Sequence, residues 1–165
     1  AMALGVDPAS PDIMDRPARK NKGIFNSGML WRIAYQGIMV GALSLTAFII
    51  GTNGNHTSES AVAVGRTMAF LVLAGSQLVH AFNVRNHRLS VFVDHPFRNG
   101  KLVLATLGSA LLLAAVLHIP ALASIFKLVA LPEGMELIVI GLCFVPLVVV
   151  ELFKLLGINT TKSDE

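Results

Sequence analysis

Long apolar runs alternate with short polar segments along the chain. The runs cover residues 30–50, 67–84, 102–126 and 136–156, and the second contains no Asp, Glu, Lys or Arg. Because about 20 residues at a rise of about 1.5 Å each cross a hydrocarbon layer of about 30 Å, every run can form a spanning helix. The pattern predicts an all-α, polytopic membrane protein with four transmembrane helices.

Two prolines interrupt the apolar pattern. Pro120 divides the third run, which is longer than one crossing needs. We therefore expect its helix to end near Ile119, with residues 121–131 forming a partly interfacial turn or short helix. Pro146 lies inside the fourth run and predicts a kink there.

Composition supports this assignment. Of the 165 residues, 54% are hydrophobic and 14% are charged, against about 25% charged in ordinary soluble domains. The basic residues form no stripe with interleaved aromatic residues, so no nucleic-acid partner is expected. The lone Cys143 cannot form an intrachain disulfide.

Lys and Arg are distributed unevenly between the two sides of the four predicted helices. Five lie up to residue 32, four in 85–101 and two after residue 150, whereas the other side carries Arg66 and Lys127. The positive-inside rule then places both termini in the cytoplasm and segments 51–63 and 120–135 outside. We expect a multi-pass protein of the cell membrane.

The same reasoning divides the chain into three parts. Residues 1–29 are expected to be a cytoplasmic segment following an upstream transmembrane helix, 30–156 the four-helix transmembrane domain and 157–165 a cytoplasmic tail. The AMALG start looks like the end of an apolar segment. We therefore expect that Ala1 is not the natural beginning of the polypeptide.

Polar residues within the predicted helices are the candidate functional groups. Gln77, His80 and Asn83 recur at helical spacing, which predicts one stripe facing protein or water instead of lipid. Gly37 and Gly41 form a GxxxG pair, which would let another helix approach closely, although such pairs also arise by chance.

Motifs for catalysis or cofactor binding are absent from the sequence. It contains no GxxxxGK[ST] loop, HExxH, CxxC or GxSxG motif, so we assign no catalytic and no cofactor-binding residue. His80 and His118 could face each other as haem or metal ligands in a four-helix bundle. Packing or interfacial positions explain them more simply.

Segments such as LGVDPASPDIMDRPAR, TMAF and ELFK resemble parts of the P-type cation-transporting ATPases, above all the calcium pumps. LGVDPASPDIMDRPAR resembles the segment after their sixth transmembrane helix, and TMAF, followed by Gln77 and AFN, resembles their eighth helix. IPALASIFKLVAL, the proline-containing run and ELFK resemble their ninth-to-tenth connection and tenth helix. The resemblance covers nearly the whole chain in order and implies the C-terminal membrane part of a pump, helices seven to ten.

For the parent pump, the resemblance implies an ATP-driven translocase that uses ATP and Mg²⁺ and moves a cation, with Ca²⁺ the expected one. This chain lacks the DKTG phosphorylation motif and would contain no cofactor. Its implied partners are the lipid bilayer and the N-terminal remainder of the pump. Gln77 matches a position where the family can carry an ion ligand, a glutamate in two-site calcium pumps, so the neutral amide departs from that pattern.

Other classes of protein remain open at this point. A free-standing four-helix transporter or a regulatory subunit would also explain the polar stripe and the GxxxG pair. A membrane enzyme with haem or quinone has the scattered histidines in its favour. For Gln77, a hydrogen bond between helices is the alternative to ion coordination.

Overall fold

The computed structural model describes residues 27–85 and 99–155. These two ranges form helices α1 (Ser27–Thr52), α2 (Glu59–Arg85), α3 (Gly100–His118), α4 (Pro120–Ile125) and α5 (Met135–Leu155). Within the described residues, all helices except the short α4 are long and apolar enough to cross a membrane. The predicted all-α membrane fold with four spanning helices is confirmed. Most of the predicted cytoplasmic segment, the loop at 86–98 and the tail lie outside the described residues.

The turn between α1 and α2 is shorter than the sequence predicts. α1 continues to Thr52 and α2 begins at Glu59, so the predicted loop over 51–63 and the predicted helix start at residue 67 were wrong. Asn55 explains the tight connection, because its Oδ1 accepts hydrogen bonds from the Thr57 hydroxyl at 3.0 Å and the Ser58 N–H at 3.2 Å. Arg66 is exposed on the helix, where its long side chain can reach the interface without ending the apolar run.

α1 and α2 pack most closely where two glycines face each other. A Cβ atom at Gly51 would lie 2.6 Å from the Gly65 Cα atom, a distance that no side chain tolerates. Further along the same interface, the Ser44 hydroxyl donates a hydrogen bond to the Ala69 carbonyl at 2.9 Å. Small residues at the contact let the two backbones approach, as is typical of membrane helix pairs.

α5 packs on a neighbouring side of α2. A Cβ atom at Gly75 would lie 2.6 Å from the Cys143 Sγ atom, and the Cys143 thiol donates a hydrogen bond to the Leu71 carbonyl at 3.7 Å. The buried core therefore lies between α1, α2 and α5; its members are Ala47, Met68, Leu71, Val72, Val139 and Cys143.

α3 lies at the edge of this core. Its first turn is capped by Asn99, whose side chain accepts a hydrogen bond from the Leu102 N–H at 3.0 Å. Leu102 and Val116, one near each end, are its buried residues. Ile119 then adopts an extended backbone (φ −91°, ψ 112°), and Pro120 begins α4. A residue before proline favours this conformation, so the predicted break near Ile119 and the predicted short helix are confirmed.

The connection from α4 to α5 is attached to α2. The Val129 N–H donates to the Thr67 hydroxyl oxygen at 3.0 Å, and the Thr67 hydroxyl donates in turn to the Ala63 carbonyl at 2.9 Å. Pro146 is buried inside α5, which is assigned as one helix across it. The kink at this proline stays a prediction.

The orientation of the helices in the membrane is testable by cysteine labelling. In a Cys143→Ser background, a cysteine at position 58 should react with an impermeant reagent from outside, and a cysteine at position 90 should be protected. The reason is the excess of Lys and Arg on the side that includes residue 90. Equal labelling, or the reverse pattern, would contradict cytoplasmic termini.

Candidate functional site

Gln77 lies on the open face of α2. Its side chain is exposed, as are those of Arg66 and Leu73 on the same side of the helix. With about 100° between successive residues, Gln77 lies about 160° around the helix from Gly75, where Cys143 of α5 makes contact. The face that carries Gln77 is therefore not covered by the core helices.

The structure divides the predicted polar stripe. His80 is 9% exposed, and its Nδ1 atom has no hydrogen-bond partner among the described residues. Gln77, one turn away, is exposed, and the side chain of Asn83 lies outside the described part of the chain. Only part of the stripe therefore faces outward, since His80 is buried and Gln77 is exposed.

The small residues beside Gln77 serve packing on another side. Gly75 contacts Cys143, and the Ser76 side chain is fully buried, donating a hydrogen bond to the Leu73 carbonyl at 3.1 Å. Gly75 lets α5 come close to α2, and Ser76 is buried, so neither residue lies on the exposed face with Gln77.

The GxxxG pair of α1 points away from the described helices. Gly37 and Gly41 are exposed, and a Cβ atom at either position would have no described atom within 4 Å. The close approach that the sequence reasoning missed is at Gly51 and Gly65. Extending the second helix over the apolar residues 61–64 would have placed Gly65 inside a helix. No motif in the sequence links it to Gly51.

The described residues do not complete an ion site by themselves. They contain no group of three or more His, Cys, Asp or Glu residues placed to bind one metal ion. Glu151 is a buried carboxylate, but Lys154 donates to it at 2.9 Å, so much of its charge is balanced within α5. Since Ca²⁺ takes 6–8 oxygen ligands, the Gln77 carbonyl oxygen could provide one among several from elsewhere.

The two histidines of the haem hypothesis are not brought together. His80 lies towards the end of α2 and His118 at the end of α3. Successive spanning helices run in opposite directions, so His80 and His118 lie in opposite halves of the membrane. His118 lines a cavity whose lining does not include His80. The two imidazoles therefore cannot bind one haem iron.

These features define a polytopic helical membrane unit with an uncovered polar position on α2. The family described as "Cation transporting ATPase, C-terminus" matches residues 1–156. The chain belongs to this family, which confirms the resemblance seen in the sequence.

Curated relatives carry the names of calcium-transporting ATPases. The chain is 38% identical to "Calcium-transporting ATPase 1" of Bacillus cereus over 94% of its length, and 37% identical to "Calcium-transporting ATPase" of Bacillus subtilis over 88%. "Calcium-transporting ATPase type 2C member 2" of Mus musculus is 29% identical over 94% of the chain. The chain spans 19%, 16% and 16% of the lengths of these relatives, respectively.

Proposed function

We propose that this chain is the C-terminal membrane part of an ATP-driven calcium pump and that it supports the helices which move the ion. The family match and the names of the relatives support this proposal. The parent protein would use ATP and Mg²⁺ on domains outside this chain, with Ca²⁺ as the transported cation. Segments 1–29 and 157–165 would lie on the cytoplasmic side of the four-helix domain.

One observation carries the supporting role: polar and small residues are exposed at membrane depth. An amide in hydrocarbon without a partner costs several kcal/mol, and the exposed Gln77 side chain makes no hydrogen bond with any described residue. Gly37 and Gly41 form a second exposed strip, on α1, that carries no side chains. Both faces are suited to contact with further helices, which the N-terminal remainder of a pump would provide.

The internal contacts of the chain suit a scaffold. The Gly51–Gly65 and Gly75–Cys143 contacts hold α1, α2 and α5 together at close distance. Tight packing of this kind resists small displacements, whereas a pump must move other helices past a fixed support. We infer that these three helices move as one body during transport.

The role proposed for Gln77 is to place its carbonyl oxygen on the transported ion. Oxygen ligands are those that Ca²⁺ requires. An amide brings no negative charge, so the site that uses a glutamate in two-site pumps should be weak or lost here. We therefore expect one Ca²⁺ transported per ATP. If Gln77 instead makes a hydrogen bond between helices, its removal will reduce stability and leave ion affinity unchanged.

The full-length protein tests the proposed activity directly. Reconstituted in vesicles, it should accumulate radioactive Ca²⁺ when ATP and Mg²⁺ are added, and an ionophore should release the ion. The isolated chain should hydrolyse no ATP with any cation, because it lacks the phosphorylation motif. ATP-dependent uptake of another cation without Ca²⁺ would overturn the choice of ion.

Gly41→Ile tests the proposed contact between α1 and the remainder of the pump. No described atom lies within 4 Å of the added Cβ, so the four helices of this chain should be unaffected. In the full-length protein, the bulky side chain should separate two helices and lower yield or turnover. Ile38→Val, at a neighbouring exposed position, is the control. Unchanged activity and thermal stability would mean that this strip faces lipid.

A further inference from the structure

A large apolar groove separates the middle of α3 from α2 and α5. α3 is buried at Leu102 and Val116, near its two ends, whereas small residues such as Ala110 and Ala114 face the groove between these points. The cavity has a volume of about 650 Å³, within the range of about 300–1,000 Å³ typical of ligand sites. α3 therefore spans a gap that its own side chains do not fill.

The groove lies on the side of α2 away from the candidate ion path. Leu71, Gly75, Val79 and Phe82 line it, and these positions lie about 120–160° around the helix from Gln77. In the pump arrangement proposed above, on which this inference rests, the remaining helices cover the Gln77 face on the other side of α2 and leave the groove to the bilayer. An apolar cavity that opens to hydrocarbon is accessible to the acyl chains of lipids.

One end of the groove is polar. His118 at the end of α3 and Glu136 in the first turn of α5 line it there, at the ends of two spanning helices where lipid headgroups lie. Glu136 is exposed and makes no ion pair with any described residue. A carboxylate at this level attracts an ammonium group and repels an anionic headgroup, while an imidazole N–H can donate to a phosphate oxygen.

We propose that this groove binds a phospholipid with an ammonium-bearing headgroup, such as phosphatidylethanolamine. One acyl chain occupies the space between α3 and the α2–α5 pair, and the ammonium group lies beside Glu136. The bound lipid replaces the side-chain contacts that α3 lacks along its middle. It thereby holds the edge helix against the core.

Photolabelling of the full-length protein tests the acyl-chain site. The protein is reconstituted with phosphatidylethanolamine that carries a diazirine in one acyl chain, diluted into detergent to remove loosely bound lipid, and illuminated. Peptide mapping should find the adducts on groove positions of α3 and α5, including Ala110 and Ala114. Exposed positions on the outer side of α3, such as Leu104 and Leu111, should be labelled when the sample is illuminated without dilution, and should not be labelled after dilution.

A matched pair of variants locates the bound acyl chain more precisely. Ala110→Phe fills the groove and should remove most of the retained label, whereas Ala105→Phe, at an exposed position of α3 outside the lining, should leave it unchanged. Absence of retained label in the wild-type groove would overturn the proposal. So would disulfide-linked dimers of Ala110→Cys in a Cys143→Ser background, because a second copy would then occupy the groove.

The headgroup is tested by competition. Unlabelled phosphatidylethanolamine should displace the probe about two- to fivefold better than phosphatidylglycerol, the range expected for one exposed charge pair. Glu136→Gln should abolish this difference and keep the acyl-chain label. Equal competition in the wild type would overturn the ammonium preference. These readouts need no ATP hydrolysis, so a failure of the lipid proposal can be distinguished from a failure of the calcium-pump proposal.

Discussion

Gly65→Ala should lower the free energy of unfolding of the full-length protein by about 1–3 kcal/mol, as overpacking in a tight core does. The added Cβ would lie 2.7 Å from the Thr52 Cγ2 atom and 2.8 Å from the Phe48 carbonyl oxygen. The carbonyl belongs to the backbone of α1 and cannot move without shifting that helix. The substitution must therefore push α1 and α2 apart.

Thermal denaturation in detergent, followed by loss of the monodisperse fraction, measures this effect. Gly108→Ala and Gly141→Ala are the controls, since both glycines are helical and exposed, with no described atom within 4 Å of an added Cβ. Alanine favours a helix over glycine by about 1 kcal/mol, so the controls should be neutral or slightly stabilising. A Gly65→Ala protein as stable as these controls would show that the α1–α2 contact is looser than described.

The second large effect is expected at Gln77. In the full-length protein, Gln77→Leu should weaken the apparent affinity for Ca²⁺ about tenfold, which corresponds to about 1.4 kcal/mol. The reason is loss of one oxygen ligand from a cation that takes 6–8 of them. Leucine fills a similar volume, and the position is exposed with respect to α1 and α5, so the packing of this chain should be maintained.

Calcium-dependent ATPase titration, with protein yield and thermal stability measured alongside, separates the two roles of the amide. A lower affinity at normal yield supports coordination, and unchanged affinity with lower stability assigns Gln77 to a hydrogen bond between helices. Gln77→Glu extends the test, because the added charge should raise the number of Ca²⁺ ions transported per ATP towards two. Leu73→Ala, at another exposed position on the open face, controls for changes in the surface of α2.

The spanning helices could be predicted because their cause is local. Each apolar run is long enough to cross the bilayer, which identifies a spanning helix directly. Pro120 ends α3 because its ring restricts its own backbone and that of Ile119. α2 begins at Glu59, ahead of the uncharged run 67–84 and with Arg66 inside the helix. An exposed arginine is compatible with a spanning helix when its charged end can reach the interface.

The contacts between helices could not be predicted, because they depend on which faces meet. Gly37–Gly41 has the spacing of a packing motif but lies open, whereas Gly51 and Gly65 have no shared motif and form the closest approach. Gln77 and His80 share a stripe by spacing, yet one is exposed and the other buried. Helical spacing fixes the angle between two residues and leaves open where the neighbouring helices lie.

The short turn at 53–58 has a consequence for how the protein is made. α1 and α2 are adjacent in sequence and share the closest backbone contact, so they can pair as a helical hairpin once α2 has left the ribosome. α3 packs on α2, whereas α5, which lines the other side of the groove, is translated later. Membrane insertion should therefore proceed from a hairpin that is already paired, with α3 added against α2 and the groove closed on its second side only when the last helix inserts.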